Sequence, residues 1–295
     1  MRYVVAAAEP ELLRRGFGRR VGDKVYLHPV EAAYLQLNHG YRFMELEELF
    51  ELAERSVENF EAMFFVYEDL RSRGMRVRIE GEFLLAKRAY LPLSEREKVK
   101  FTDLLEKGSS YENFALAIVD DESEVTYYSV TLHEPRGEQV EELKVFEGTL
   151  IGNTVVVEDR ELFERFFYGS ERRKFVALSL IEAAYLAEMG YLRLKNADWR
   201  KLVAGMERKF EVYKDLKRRG LVVKTGFKFG ADFRAYEKVE HVEELPHSKY
   251  LITIADDREF AMSEIVRAVR LAQSVRKTML FAVGDVYVKV ERVRV

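Results

Sequence analysis

The chain of 295 residues contains no cysteine and only five prolines. The absence of cysteine excludes disulfides, thiolate catalysis and cysteine-ligated zinc, and it fits a cytosolic enzyme. No run approaches the roughly 20 apolar residues that a membrane span needs. The start, Met1–Val5, shows no signal-peptide cleavage pattern. With 48% hydrophobic and 34% charged residues, this composition predicts an ordered, globular, cytoplasmic protein without a membrane partner.

The chain has little net charge overall, but its last third carries an excess of positive charge. The formal net charge is −3, yet residues 201–295 carry 20 Lys and Arg against 14 Asp and Glu. A basic region of this kind suits binding to a phosphate backbone, although an uneven surface charge without function is the alternative. The many Lys, Arg and Glu residues, together with the absence of cysteine, would also suit a hot habitat.

Two stretches of the chain recur in the same order. Glu31–Leu35 returns as Glu182–Leu186, and Tyr67–Gly74 returns in similar form as Tyr213–Gly220. Matching order and spacing predict two copies of one folded plan rather than a single core. We expect the copies at 1–155 (subdomains 1–65 and 66–155) and 156–295 (subdomains 156–208 and 209–295).

Within each copy, helical and strand patterns alternate, which predicts an α/β or α+β fold. In the second copy a helix is expected from about Ser263, a good N-cap, to Val275. Its apolar side would carry Ile265, Val269 and Ala272. A hairpin should follow, with its turn at Gly284 and Asp285.

Three side chains in the second copy form a candidate catalytic set. Tyr236 ends the glycine- and aromatic-rich segment 226–236, His247 lies in a Pro-His-Ser loop, and Lys277 follows Arg276; the steps between the three are 11 and 30 residues. This order and spacing resemble the archaeal tRNA-splicing endonuclease family, and the likeness covers the whole chain. Taken singly, each residue would more often have a packing or helix-end role.

The resemblance implies an RNA endonuclease that cuts introns from precursor tRNA. In this family, each of the two repeats joins a small helical and strand amino-terminal subdomain to a restriction-endonuclease-like mixed-sheet subdomain. Two chains form a homodimer that cleaves both intron boundaries in a bulge–helix–bulge motif. The implied chemistry needs no metal or cofactor: the 2′-hydroxyl attacks the neighbouring phosphorus and leaves a 2′,3′-cyclic phosphate and a 5′-hydroxyl.

This chemistry needs a base, an acid and a cation beside the phosphorane. His247 suits the acid because imidazole titrates near neutrality, and Lys277 suits the stabilising cation. The resemblance makes Tyr236 the base, but a phenol needs a nearby cation to ionise at neutral pH. Tyr236 could instead orient the 2′-hydroxyl.

Three arginines are candidates for binding RNA. Arg270 falls on the polar side of the expected helix, Arg276 adjoins Lys277, and Arg292 interrupts the alternation of Val286, Val288 and Val290, which marks a bulge or a specifically placed residue. In the resembling enzymes, arginines that match Arg270 and Arg292 stack on a flipped-out bulge base. Arg276 could alternatively serve only as a helix-end cap.

The first copy offers Tyr90 as a counterpart of Tyr236, but Leu93 or Phe101 in place of His247 and Thr131 in place of Lys277. It is therefore expected to be non-catalytic. Its acidic segment, with Asp120, Asp121, Glu122 and Glu124, is either a solvated hairpin tip or, as the resemblance implies, a loop that docks into a basic groove of the partner chain.

Two alternatives stand beside this interpretation. The first is a non-catalytic RNA-binding or structural subunit of a splicing endonuclease, which should have lost the Tyr, His and Lys set that is present here. The second is a metal-dependent nuclease of related fold, which would need clustered carboxylates. Asp232, Asp256 and Asp257 are available but do not form a recognisable motif.

Overall fold

The computed structural model describes residues 4–6, 9–256 and 258–295. The chain divides into two compact units. The described residues of the first unit lie within Met1–Thr131, Asp257–Arg267 and Val290–Val295, and the second unit comprises Leu132–Asp256 and Ala268–Lys289. The mixed α/β class expected from the sequence is confirmed. None of the described helices is both long and apolar enough to cross a membrane.

The first 133 residues begin with a small three-stranded sheet and its helices, and continue into a longer sheet. The strands are Val4–Ala6, Arg19–Val21, Lys24–Leu27, Arg78–Glu80, Phe83–Leu85, Ala89–Ser94, Lys98–Lys100, Phe114–Val119 and Val125–His133. The helices are Pro10–Arg14, Pro29–His39, Leu46–Ser56, Phe60–Ser72 and Phe101–Gly108.

The remaining residues follow a similar plan. The strands are Phe146–Ile151, Thr154–Val157, Ser170–Glu171, Val176–Ser179, Leu192–Leu194, Val222–Thr225, Phe233–Tyr236, Tyr250–Ile254, Glu259–Ala261, Thr278–Val283 and Val286–Val293. The α-helices are Glu161–Glu164, Leu180–Glu188, Trp199–Leu202, Glu207–Arg218 and Met262–Ser274, and the 3₁₀ turns are Phe227–Phe229 and Val242–Glu244.

The long sheet strands of the second unit come in chain order, from Val222–Thr225 through Phe233–Tyr236 and Tyr250–Ile254 to the hairpin of Thr278–Val283 with Val286–Val293. Neighbours are antiparallel except the central pair, Tyr250–Ile254 with Thr278–Val283, which is parallel. Parallel neighbours require a crossover, and this crossover contains the helix Met262–Ser274. The expected hairpin and the burial of Ile265, Val269 and Ala272 are confirmed.

Five strands of the first unit repeat this order and these directions, again with one parallel pair, Ala89–Ser94 with Phe114–Val119. By position in the sheet, Tyr90 therefore lies in the strand equivalent to Tyr250–Ile254, not in the one equivalent to Phe233–Tyr236. The sequence alignment of Tyr90 with Tyr236 was wrong, because it assumed equal loop lengths.

The loops explain why the first unit has no histidine at the equivalent place. Residues 86–88 join the two strands that residues 237–249 join in the second unit, so the loop that carries His247 has no comparable counterpart. Likewise, Asn113, not Thr131, precedes the strand equivalent to Thr278–Val283. The absence of counterparts of the candidate catalytic side chains from the first unit is thus partly a difference in loop length.

In the second unit, a buried ion pair connects strand Val222–Thr225 of the long sheet to helix Leu180–Glu188. Lys224 Nζ lies 2.9 Å from Glu182 Oε1 and donates to the carbonyls of Phe167 and Gly169 at 3.1 and 2.5 Å. Glu182 also forms a capping box with Ser179 at the start of helix Leu180–Glu188. Burial alone would raise the pKa of Glu182, but Lys224 and these hydrogen bonds lower it overall. Glu182 is therefore charged, and it neutralises Lys224.

The acidic segment of the first unit is a hairpin tip. It joins Phe114–Val119 to Val125–His133, and the Asp120 carboxylate accepts hydrogen bonds from the backbone N–H groups of Glu122 and Glu124 at 3.0 and 2.9 Å. Asp121, Glu122 and Glu124 are exposed. Asp120 therefore shapes the turn, Asp121 pairs with Arg96 at 2.7 Å, and Glu122 and Glu124 face solvent.

The helix Met262–Ser274 begins one residue before the expected N-cap. Ser263 lies in its first turn, where its N–H donates to the Glu95 carbonyl at 3.0 Å. The Glu264 carboxylate, not the Ser263 hydroxyl, accepts a bond from the N–H of Ala261, at 3.0 Å. The N-cap prediction was wrong because backbone carbonyls and Glu264 supply the acceptors at this helix end.

At the other end, Arg276 holds a left-handed conformation with φ of 57°. The N–H of Arg276 donates to the Gln273 carbonyl at 3.0 Å, and that of Lys277 donates to the Ala272 carbonyl at 2.8 Å. This is the Schellman arrangement, in which glycine usually occupies the left-handed position. The backbone of Arg276 is thus the helix-end cap that the sequence suggested, and it sets the direction in which Lys277 leaves the helix.

We expect Arg276→Gly to be more stable than Arg276→Ala by about 1 kcal/mol, because only glycine adopts this conformation without a Cβ penalty. Both variants lack the guanidinium, so their difference isolates the backbone. Urea unfolding measures it. The matched pair Arg267→Gly and Arg267→Ala, at an exposed position within the same helix, should show the reverse order. Equal stability of the two Arg276 variants would contradict the strain.

Candidate active site

Three segments of the second unit meet at one end of its long sheet. Phe233–Tyr236 ends there, whereas Tyr250–Ile254 and Thr278–Val283 begin there. The Lys249 N–H donates to the Ala235 carbonyl at 2.9 Å, and the Thr278 N–H donates to the Lys249 carbonyl at 2.9 Å. The backbone therefore brings the neighbourhoods of Tyr236, His247 and Lys277 together.

Tyr236 is buried, and its ring packs edge-on against Phe167 with the centroids 5.8 Å apart. The Arg234 guanidinium carbon lies 5.8 Å from the centroid of the Tyr236 ring. Burial raises the pKa of the Tyr236 phenol, and Arg234 opposes this effect only in part. Among the described residues, none forms a hydrogen bond with its hydroxyl. Tyr236 is a fixed phenol with a free hydroxyl, and it needs positive charge nearby to ionise.

His247 is exposed in the loop that follows the 3₁₀ turn Val242–Glu244. No described residue forms a hydrogen bond or ion pair with its ring. The next residue, Ser248, is buried, and its Oγ has no hydrogen-bond partner in the described part of the chain. Ser248 therefore anchors the loop while the imidazole remains accessible to a bound molecule.

Lys277 reaches back to this loop. Its Nζ donates to the Ser248 carbonyl at 3.0 Å and lies 5.5 Å from the centroid of the Phe229 ring. Burial, and then the positive charge of Arg234, lower the pKa of the Lys277 ammonium. The hydrogen bond links Lys277 to the residue that follows His247.

The three arginines expected to bind RNA are all exposed. Arg270 lies on the polar side of helix Met262–Ser274, Arg276 precedes Lys277, and Arg292 lies near the end of strand Val286–Val293. Within the described ranges, none has an ion pair or a side-chain hydrogen bond. Their guanidinium groups are therefore accessible to an anionic ligand.

The sequence reasoning missed two side chains at this site, Arg234 and Phe229. Arg234 stands two positions before Tyr236 on the same strand, so the period-two alternation of strands places both on one face. That signal was available in the sequence. The contact of Phe229 with Lys277 could not be predicted from the sequence, because it depends on the 3₁₀ turn Phe227–Phe229.

The carboxylates considered for a metal-dependent nuclease have other partners. Asp232 accepts a bond from the N–H of Ile254 at 3.0 Å and pairs with Lys209 at 3.1 Å. Asp256 pairs with Arg208 at 2.7 Å and accepts from the N–H of Gly284; Asp257 lies outside the described residues. No group of three or more His, Asp or Glu side chains in the described part of the chain could hold a metal ion.

Residues 206–291 match the catalytic C-terminal domain of the tRNA intron endonuclease, and residues 146–203 match its N-terminal domain. The tRNA-splicing endonuclease of Methanosarcina mazei is 38% identical over 323 residues, covering 94% of this chain and 90% of the relative.

Two further relatives span comparable lengths. The tRNA-splicing endonuclease of Methanosarcina acetivorans is 37% identical over 97% of this chain and 95% of its own. That of Haloarcula marismortui is 35% identical over 91% of this chain and 88% of its own. With this identity over almost the full length and matching family domains, the chain belongs to the tRNA-splicing endonuclease family.

Proposed function

We propose that this chain is the catalytic chain of a tRNA-splicing endonuclease that cleaves precursor tRNA at both intron boundaries of a bulge–helix–bulge motif. Attack of the 2′-hydroxyl, without a metal, leaves a 2′,3′-cyclic phosphate and a 5′-hydroxyl. The observation that carries the proposal is the hydrogen bond from Lys277 Nζ to the Ser248 carbonyl, since it unites the lysine with the histidine loop at the end of the Tyr236 strand.

The proposed roles follow the accessibility of each group. His247, exposed and unpaired among the described residues, donates a proton to the departing 5′-oxygen. Lys277 stabilises the charge on the phosphorane. Tyr236, buried but with a free hydroxyl, acts on the 2′-hydroxyl, as the base once ionised or as the group that orients it.

The proposal extends to the assembly. Two chains form a two-fold homodimer in the cytoplasm, with one catalytic repeat (156–295) and one non-catalytic repeat (1–155) each. Two active sites related by a two-fold axis match two cuts of near two-fold symmetry. Arg270, Arg276 and Arg292 contact the RNA, and the acidic tip Asp120–Glu124 docks on the basic region of the partner chain.

Incubation with an intron-containing precursor tRNA in EDTA tests the activity. We expect both boundaries to be cut, with cyclic phosphate and 5′-hydroxyl ends. His247→Ala should lower the single-turnover rate by roughly 10²-fold or more, the usual scale for a lost general acid, while RNA affinity changes little. His241→Ala, at an exposed histidine of the same loop, is the control. A near-normal rate for His247→Ala would refute its role, and 3′-hydroxyl ends would refute the mechanism.

Arg270 and Arg292 should act on recognition of the RNA. The double Ala variant should bind bulged RNA more weakly by about 1–3 kcal/mol per lost contact. Affinity and single-turnover rate are compared on bulged RNA and on a fully paired duplex of similar length. Arg267→Ala, exposed on the same helix as Arg270, controls for lost charge. An unchanged preference for the bulge would leave these arginines as ordinary surface charge.

The docking of the acidic tip can be tested without unfolding its turn. Because Asp120 accepts two backbone hydrogen bonds, the test changes only Asp121, Glu122 and Glu124 to Lys. We expect weaker dimerisation in sedimentation velocity and lower activity, both partly restored at high enzyme concentration. Lys at Glu47, Glu48 and Glu54, exposed on helix Leu46–Ser56, reverses as many charges elsewhere. A tip variant that stays dimeric and active in low and high salt would exclude the docking.

A further inference from the structure

Arg234, at the candidate active site, has no counter-ion among the described residues. Arg234 and Tyr236 share the sheet face opposite the main core, because the alternate residues Phe233 and Ala235 pack into that core. The Nε of Arg234 is buried and has no hydrogen-bond partner among the described residues. A buried guanidinium nitrogen without a partner is costly, so its retention needs an explanation.

Three cations on or beside the neighbouring strands are paired with carboxylates. Lys224, directly opposite Arg234 on the paired strand, is bound to Glu182 at 2.9 Å. Lys249, which directly precedes the neighbouring strand Tyr250–Ile254, pairs with Glu237. Lys238, just beyond Tyr236, pairs with Glu240 at 2.5 Å.

Arg234 and Lys277, by contrast, have no ion pair with any described carboxylate. Lys224 faces Arg234, and like charges on facing positions of a sheet repel; the pairing of Lys224 with Glu182 reduces this repulsion. The charge of Arg234 itself has no such partner among the described residues. Arg234 thus keeps a positive charge next to the buried phenol of Tyr236, without a described carboxylate to compensate it.

We propose that Arg234 is a positioning residue of the cleavage site, which acts through Tyr236 by packing its guanidinium against the ring and holding a fixed positive charge beside it. The inference rests on the proposed function. Arg234 would supply the nearby cation that a tyrosine base requires.

The electrostatics agree with the contact. Arg234 is the one charged group that counteracts the rise in the pKa of Tyr236 caused by burial. It also adds to the lowering of the pKa of Lys277. Removing it should therefore raise the pKa of both groups, which leaves less phenolate at neutral pH but keeps Lys277 protonated. A loss of rate at neutral pH would then come from Tyr236 and not from Lys277.

The test compares Arg234→Met, which keeps much of the side chain's bulk without charge, with Arg234→Lys, which keeps the charge. Single-turnover cleavage at saturating enzyme is measured from acidic to alkaline pH. We expect Arg234→Met to lower the rate at neutral pH roughly tenfold and to move the alkaline limb to higher pH, while Arg234→Lys restores most of the rate. Arg193→Met, at an exposed arginine of the second unit, should change neither.

A second comparison separates this role from a general loss of charge or fold. In a Tyr236→Phe background, the additional change Arg234→Met should cost little rate, because the group through which it acts is gone. The phenolate absorbance of Tyr236 can be measured without RNA, as the difference between a chain that has Tyr236 and the same chain with Tyr236→Phe. In the Arg234→Met variant, this absorbance should appear at higher pH.

The outcomes are distinguishable. An equal loss in the Tyr236→Phe background, or an unshifted Tyr236 titration, would overturn the role of Arg234. The titration needs no activity, and a loss of folded enzyme that is the same at every pH would lower the whole rate profile without moving its limbs. If the unaltered chain fails to cut precursor tRNA in EDTA, the proposed function fails, while the phenolate titration still tests Arg234.

Discussion

The catalytic end of the second unit depends on the parallel pairing of Tyr250–Ile254 with Thr278–Val283. Their register, Tyr250 opposite Thr278, fixes where the two preceding segments, with His247 and Lys277, arrive at the sheet. A parallel pair can be closed only by a crossover, and its helix must end with Lys277 pointing back to the loop. The left-handed conformation of Arg276 gives the chain this direction. The local strain at Arg276 and the register of the parallel strands therefore act together to place Lys277.

Burial has the same effect on the charge state of Tyr236 and of Lys277. It favours the neutral form of each, since it raises the pKa of Tyr236 and lowers that of Lys277. A phosphate bound beside Lys277 would offset this effect by stabilising the ammonium. The charge on the lysine is therefore best secured when an anion occupies the site, whereas the phenol depends on a cation that belongs to the protein.

Much of the catalytic unit could be predicted from the sequence because its signals are local. Helical periodicity indicated Ile265, Val269 and Ala272 as the buried side, and alternation with a Gly-Asp turn indicated the terminal hairpin. What depended on distant partners could not be predicted. The cap at Ser263 gave way to the carbonyl of Glu95, and Tyr90 was aligned with Tyr236 because strand neighbours are invisible in a single sequence. Tyr236, His247 and Lys277 were found only through their joint spacing.

The contrast between residues 86–88 and 237–249 has an evolutionary consequence. A site that is inactive through one substitution can be restored by one reversion, but a missing loop cannot. To cleave RNA, the first unit would need an insertion about as long as the loop 237–249, with a histidine and a buried anchor such as Ser248. It would also need a lysine in place of Asn113. Under the proposed function, specialisation of the two units is therefore hard to reverse, and each chain keeps one set of cutting residues.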